Sequence, residues 1–243
     1  MKHFATTIRI AQQLKADKRT IALILIVPVV LLSLLYYEFH EVPASPFDRI
    51  GPTMLAILPL TMMFLITSVA MLRERTTGTL ERILTTPINT INLMVSYAIV
   101  FGVLGLIQAG ILCFMVLGPF NVDIAGPWPM LLVLALLDAF LGVSLGLFAS
   151  ALARSEFQAV QFMPVVVGPQ IFLCGLLVAR DQMPRALEMC SNVLPMSWAV
   201  DAVGELTVST TPTADFAADV GLLAAAGLAV LTIAALTVPR RTR

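Results

Sequence analysis

Apolar residues fill six long stretches of the chain, and few charged residues interrupt them. A helix needs about 20 mainly apolar residues to cross a bilayer, and each stretch is close to that length. The pattern therefore predicts an all-α integral membrane protein with a single transmembrane domain over residues 20–243. The predicted spans cover residues 20–37, 52–72, 93–117, 128–153, 157–178 and 219–238.

Prolines inside these stretches predict departures from straight helices. Proline cannot donate a backbone hydrogen bond, and its ring crowds the preceding turn. Pro28 in the first span and Pro164 and Pro169 in the fifth are therefore expected to kink the helix or unwind a turn.

Residues 1–19 precede the first span and have the pattern of an amphipathic helix. Phe4, Ile8 and Leu14 recur at helical spacing, and polar or basic residues, including Arg9, lie between them. Such a helix lies in the membrane interface, with its apolar side toward lipid and its cations near anionic headgroups. The alternative is a segment that only fixes topology.

Basic residues are concentrated on one side of the predicted spans. The N-terminal segment, the second-to-third loop, the fourth-to-fifth loop and the C-terminus hold 12 of the 15 Lys and Arg residues. Because cytoplasmic flanks collect Lys and Arg, both termini are predicted to be cytoplasmic. Abundant Ala, Gly and Val favour a bacterial source, which makes the expected location a bacterial plasma (inner) membrane.

Composition agrees with a membrane protein and excludes several other classes. Hydrophobic residues make up 58% and charged residues 12% of the chain, whereas a soluble domain has about 45–50% and 25%. The 15 basic and 15 acidic residues balance, so no nucleic-acid partner is expected. The three cysteines show no C-x-x-C spacing, and no metal site or catalytic set is predicted.

Asp138 is the one ionisable residue deep inside a predicted span. A carboxylate at the bilayer centre costs about 2.5–3.5 kcal/mol on insertion scales, so it should have a partner or line water. A hydrogen-bonded structural acid is the preferred interpretation. The alternative is the proton or cation site of an ion-coupled secondary transporter, and a non-transporting scaffold is a further class.

The loop after the second span carries an ordered run, R-E-R-T-T-G-T-L-E-R-I-L-T-T-P, over residues 73–87. Leu80 and Ile83 fall on one face of a short predicted helix, which Pro87 ends. Glu81 lies in the first turn, where the helix dipole favours an anion. An apolar face with a charged rim is typical of a docking surface for another protein, and a solvated loop is the alternative.

This run resembles the E-R-E-x-G-T-L-E-x-L-L-x-T-P signature of ABC-2-type transporter permeases, the membrane subunits of ATP-binding-cassette exporters. Residues 174–202 are similar to a second family pattern, S-G-x-x-x, M-P and L-P-x-[ST]-x-x-x-D-A in order. The six-span plan also matches, so the resemblance covers essentially the whole chain. Glu205 follows where many relatives carry a basic residue, and residues 38–51 are too few for the large outer domain of some relatives.

The resemblance implies a role for each segment outside the spans. The helix after the second span is implied to be a cytoplasmic coupling helix that fits a groove on the nucleotide-binding subunit. The N-terminal helix is implied to be the connecting helix, and short external re-entrant helices are implied before the last span. The implied coupling residues are Glu74, Gly78, Thr79, Leu80, Glu81 and Pro87, and those of the connecting helix are Phe4, Ile8 and Arg9.

No G-x-x-x-x-G-K-[ST] run occurs, so ATP and Mg are expected on a partner ATPase and no cofactor is expected in this chain. The resemblance implies two ATPase copies and a second permease, in a homodimer or a heterodimer with a paralogue. The expected function is outward export of a small lipophilic or amphipathic compound, a drug, antibiotic or lipid, across the plasma membrane, and membrane lipid is a further expected partner. Export of a glycan or a lipid-linked envelope precursor is the alternative.

The substrate path of such an exporter is expected between two bundles, lined by the second and fifth spans. Met and Phe offer adaptable apolar contacts, and Gln inside a membrane should face the interior. Ordinary helix packing is the alternative for each residue. The candidates are Met54, Met62, Met63, Phe64 and Thr67 on the second span, and Gln158, Gln161, Phe162, Gln170 and Phe172 on the fifth.

Overall fold

A computed structural model of the chain describes residues 2–43, 45–77 and 90–237, and every regular element in those ranges is helical. The helices, in chain order, are α1 (Lys2–Ala16), α2 (Lys18–Phe39), α3 (Phe47–Thr76), α4 (Thr90–Leu117), α5 (Trp128–Leu152), α6 (Glu156–Val166), α7 (Gly168–Leu173), α8 (Arg185–Ser191), α9 (Pro195–Val208) and α10 (Ala214–Thr237). A 3₁₀ turn, Arg180–Gln182, precedes α8.

Five of these helices, α2, α3, α4, α5 and α10, are long and apolar enough to cross a membrane. They correspond to five of the six predicted spans, so the all-helical membrane class is confirmed. Helix α10 begins at Ala214, earlier than predicted, and the Glu205 carboxylate accepts a hydrogen bond from the Thr213 N–H directly before it at 2.6 Å. This contact satisfies a donor at the helix start that the helix itself leaves free.

The predicted fifth span, 157–178, is not one continuous helix. Helices α6 and α7 occupy its place, with a break at Val167, and α7 ends at Leu173. Pro169 has no N–H to offer the carbonyl of Val165, so the interruption falls close to the position that the prolines predicted. The expected interruption is present, and the helix ends at Leu173, before residue 178, where the predicted span ends.

Helix α5 lies at the centre of the bundle and contacts α3, α4, α9 and α10. A Cβ atom on Gly142 would lie 2.9 Å from the Cα atom of Leu60 and closer still to its carbonyl oxygen. A Cβ atom on Gly146 would lie 2.6 Å from the carbonyl oxygen of Phe64. These two glycines are one helical turn apart on the same face, so α5 and α3 pack backbone against backbone.

Asp138 lies on the same face of α5, one turn before Gly142, and is fully buried. Its Oδ2 atom accepts a hydrogen bond from the backbone N–H of Leu60 in α3 at 3.1 Å. Its Oδ1 atom has no hydrogen-bond partner among the described residues. This geometry fits the interpretation of Asp138 as an acid that joins two helices, and its protonation chemistry stays a prediction.

Replacing Asp138 with asparagine separates the two interpretations. The asparagine carbonyl can still accept from Leu60, so a joining acid is expected to lose about 1 kcal/mol or less of unfolding free energy. Thermal unfolding in detergent measures this loss, with Asp123→Asn, an exposed acid, as the matched control. Intact stability with loss of pH-dependent transport would support the ion-coupled alternative instead.

The bundle has two chemically different ends, which we call the α1 end and the opposite end. The α1 end holds α1, the end of α3 and the start of α6. The opposite end holds the short helices α8 and α9.

Arg49 at the opposite end donates a hydrogen bond to the Gly175 carbonyl at 2.8 Å. Gly175 has φ +96°, a conformation that favours glycine. Short helices before the last span were expected, and their depth in the membrane stays a prediction.

Candidate functional site

Helix α1 packs against α4 and α2 at the α1 end. Ile10 is buried there, and the Thr7 hydroxyl donates to the Ser96 hydroxyl at 3.2 Å. Ile8, which we placed on the apolar face, is 51% exposed and available to lipid. Phe4 lies in α1, but its side chain is outside the described part. Polar contacts with the bundle, which periodicity does not show, therefore set the orientation of α1.

Arg9 of α1 binds Glu74 near the end of α3. The Arg9 Nη2 atom donates to Glu74 Oε1 at 2.8 Å, across 65 positions of sequence. Glu74 is 7% exposed, so the bond is charge-assisted and largely shielded from water. The structure thus brings together one residue of the implied connecting helix and one of the implied coupling residues.

Glu74 has two flanking arginines, and these three consecutive residues bind three different elements. Arg73 donates through Nε and Nη2 to the Glu156 carboxylate of α6, at 3.1 and 3.3 Å. Arg75 donates to the backbone carbonyl of Ser150 in α5. Successive helical residues point about 100° apart, so the end of α3 reaches α6, α1 and α5 at once. We call this set, Arg73 to Arg75 with its partners, the α3 junction.

The junction continues into the implied coupling helix. Gly78, Thr79, Leu80, Glu81 and Pro87 lie outside the described residues. Helix α3 ends at Thr76, two residues after Glu74. Glu74 and its flanking arginines therefore lie directly before the segment implied to be the coupling helix.

Two carboxylates at this end are held in their charged form by neighbouring donors. The Thr20 hydroxyl and backbone N–H donate to Asp17 at 2.7 and 3.1 Å and keep the pKa of that carboxyl below its usual range. The hydrogen bonds from Arg73 likewise lower the pKa of Glu156. Asp17 caps α2, a role that its position three residues before Thr20 makes readable in sequence.

The candidate path residues of α3 face the inside of the bundle. Met63, Phe64 and Thr67 are fully buried, and the Thr67 Cβ atom lies 3.1 Å from the Cβ position of Gly146. Met54 is also buried and Met62 is half-buried. A path lined by the buried residues requires α3 and α5 to move apart, because these helices now pack in direct contact.

The candidates on α6 and α7 are divided between the interior and the surface. Gln170 is buried, donates to the Val166 carbonyl and accepts from the Met196 N–H of α9 at 3.3 Å. Gln158 accepts a hydrogen bond from the Arg154 N–H at 2.8 Å, so its amide oxygen satisfies a backbone donor just before α6. Phe162 is half-buried, Phe172 is 65% exposed and Gln161 is exposed.

Gln161 therefore departs from the expectation that intramembrane glutamines face the interior. It lies little more than one turn from the start of α6, close to the charged α1 end. An amide near the end of a span can reach water and headgroups, so it does not need a buried partner.

Comparison with known proteins identifies the family of the chain. The family described as ABC-2 type transporter matches residues 3–206, so the chain belongs to the ABC-2 type transporter family. Its members include permeases, the membrane subunits that associate with an ABC ATPase, and the resemblance drawn from the sequence is confirmed.

Several curated relatives carry transporter names. The chain is 28% identical over 165 residues to "ABC transporter G family member 20" of Dictyostelium discoideum, a match that covers 68% of this chain and 23% of that protein. It is 31% identical over 147 residues to "Inner membrane transport permease YhhJ" of Escherichia coli (strain K12), covering 60% and 39%. It is 27% identical over 164 residues to "Linearmycin resistance permease protein LnrN" of Bacillus subtilis (strain 168), covering 68% and 42%. The chain thus spans less than half the length of each of these relatives.

Proposed function

We propose that the chain is the permease subunit of an ABC exporter that moves a lipophilic or amphipathic compound outward across a bacterial plasma membrane. A pair of separate ATPase subunits powers transport, and a second permease, a copy or a paralogue of this chain, completes the path. The α1 end faces the cytoplasm, and α6 and α7 together form the fifth of six crossings.

The Arg9–Glu74 bond is the observation that carries this proposal. It joins the implied connecting helix to α3 directly before the implied coupling segment. An ATPase docked on residues 78–87 would pull on α3, and the α3 junction would pass that movement to α1, α5 and α6 together. The name of the Bacillus subtilis relative, a resistance permease, supports an antibiotic or other lipophilic compound as the substrate.

Replacing both Leu80 and Glu81 with alanine is expected to abolish copurification with the ATPase. The Leu80 substitution removes the apolar contact with the ATPase, and the Glu81 substitution removes the charge that fixes how the two surfaces align. The membrane spans, which govern insertion, are unchanged. The measurement is a mild-detergent pull-down from the native membrane, with mass spectrometry of the proteins that accompany the chain.

Leu187→Ala with Glu188→Ala is the matched control, because α8 carries the same residue pair at the opposite end. This control should retain a stoichiometric ATPase. Recovery of ATPase with the Leu80 and Glu81 variant would contradict the docking site, and absence of any ATPase from the unmodified chain would contradict an ATP-driven mechanism. ATP-dependent accumulation of a lipophilic dye in inside-out vesicles tests the direction of transport.

A further inference from the structure

A cavity of about 490 Å³ lies beside the α3 junction, between α1, α2, α3, α4 and α6. This volume falls within the roughly 300–1,000 Å³ that is usual for small-molecule sites. Its wall is mostly apolar, and representative lining residues are Leu14, Leu23, Ile66, Val69, Phe101 and Val160. A mostly apolar cavity of this size fits the hydrocarbon part of an amphiphile.

The charged residues that line the cavity leave one acceptor unused. They are two carboxylates, Asp17 and Glu74, and one guanidinium, Arg73. Arg73 is engaged by Glu156, and Thr20 donates to both oxygens of Asp17. Glu74 is 7% exposed, and its Oε2 atom has no hydrogen-bond partner among the described residues.

A buried carboxylate oxygen without a donor is costly, so Glu74 Oε2 would gain from a ligand that supplies one. Arg73 is the one cation among the described lining residues and is paired with Glu156, so the unused group of this wall is a hydrogen-bond acceptor. An anionic headgroup would meet the carboxylates of Asp17 and Glu74, and no described lining residue offers it an unpaired cation. A ligand that brings an ammonium group satisfies both the charge and the missing hydrogen bond.

Two aromatic rings strengthen the preference for a cation. Tyr97 and Phe101 both line the cavity, and their rings stack with centroids 5.8 Å apart and planes 6° apart. The Tyr97 hydroxyl lies beside the Glu74 carboxylate but makes no hydrogen bond to its Oε2 atom. Aromatic faces attract ammonium groups, and the attraction grows when water is excluded.

We propose that this cavity is a binding site for lipophilic amines, with the ammonium group on Glu74 Oε2 and the hydrocarbon chain against α2, α3 and α4. The site lies within one chain, so it does not depend on an ATPase, on a second permease or on the direction of transport. The amine and Arg9 bind the two oxygens of the same carboxylate, which places the ligand in direct contact with the α3 junction.

The experiment measures equilibrium binding of radiolabelled dodecylamine to the 243-residue chain in phosphatidylcholine nanodiscs at pH 7, with empty nanodiscs subtracted. Dodecylamine is charged at this pH because its amine titrates near pH 10, as that of lysine does. Dodecanol and dodecanoate have the same chain length and test the neutral and anionic headgroups as competitors. We expect unlabelled dodecylamine to compete and the other two compounds to compete poorly.

Two substitutions break the Arg9–Glu74 bond but have opposite expected effects on the ligand. Glu74→Gln removes the charge that binds the ammonium and should weaken binding about tenfold or more, as for one charge-assisted hydrogen bond. Arg9→Gln leaves the carboxylate in place and removes its competing cation, so affinity should equal or exceed that of the unmodified chain. Loss of a structural contact alone would weaken binding in both variants.

Ala70→Trp and Glu41→Gln complete the set. Ala70 lines the cavity, so tryptophan there should fill it and abolish binding while Glu74 is retained. Glu41 is an exposed acid at the opposite end and should leave binding unchanged when it is neutralised. Equal binding by the Glu74→Gln chain, unchanged binding by the Ala70→Trp chain or equal competition by dodecanol would overturn the proposal.

Discussion

Replacing Gly142 with alanine is expected to lower the unfolding free energy by about 1–3 kcal/mol or more, as overpacking of a tight interior does. The added methyl group would overlap the backbone of Leu60 in α3, which cannot rotate away as a side chain can. Only separation of α5 from α3 makes room, and that separation also stretches the Asp138–Leu60 hydrogen bond. Thermal unfolding of the purified chain in detergent measures the effect.

Gly110→Ala in α4 is the matched control for this substitution. A Cβ atom at Gly110 meets no atom within 4 Å, so the same methyl group should change stability little. Alanine is also the better helix former, which favours a small gain. Similar unfolding temperatures for the two variants would show that α3 and α5 do not approach as closely as described.

Neutralising Arg9 and Glu74 is expected to uncouple ATP hydrolysis from transport. Arg9→Gln or Glu74→Gln alone leaves one charged group without its partner and should cost about 1.5–3 kcal/mol. The double variant should lose less than the two single losses combined, because neither charge is then left alone. Substrate-stimulated ATPase activity of the complex should fall in all three variants while the chain still inserts.

The Arg73–Glu156 pair provides a control cycle at the same end of the molecule. Its side chains are 57% and 48% exposed, whereas those of Arg9 and Glu74 are 32% and 9% exposed. An exposed pair contributes about 0–1 kcal/mol, so Arg73→Gln with Glu156→Gln should show weak coupling. If the losses of unfolding free energy at Arg9 and Glu74 were additive and as small as those of the control pair, the buried bond would not join α1 to α3 as proposed.

The charge triplet Arg73 to Arg75 makes contacts in the structure that its sequence alone does not show. In sequence, the triplet is part of the run that resembles the signature of the family. In the structure it is the point where α3 holds α1, α5 and α6. In the proposed exporter, these charges would connect the docking segment to the helices that move during transport.

The sequence alone determined the membrane class, the positions of five long helices and the family. Transfer of an apolar run into lipid depends on the run itself, so its length and composition predict a span without knowledge of its neighbours. The signature over residues 73–87 is likewise a linear property, and the family match over residues 3–206 agrees with it.

The end of the fifth predicted span could not be predicted from the sequence alone. Prolines predicted an interruption, and it is present at Val167. The helix then ends at Leu173, whose carbonyl accepts from the Ser191 hydroxyl of α8 at 2.7 Å. Ser191 lies 18 positions away in sequence, and only the fold brings it near Leu173. A hydropathy pattern therefore cannot predict this contact or the helix end that it accompanies.

Only the tertiary structure decided which polar residues meet. Asp138 was unusual in sequence as an acid inside a span, and Arg9 and Glu74 were implied by the resemblance, yet the partners of these residues are 65 and 78 positions away. Many pairings of charges and donors are compatible with one hydropathy pattern, and the close packing of α3 on α5 selects among them. The same packing buries Met63 and Thr67. The cavity at the α1 end forms where α1, α2, α4 and α6 surround α3, and Glu74 lies in its wall.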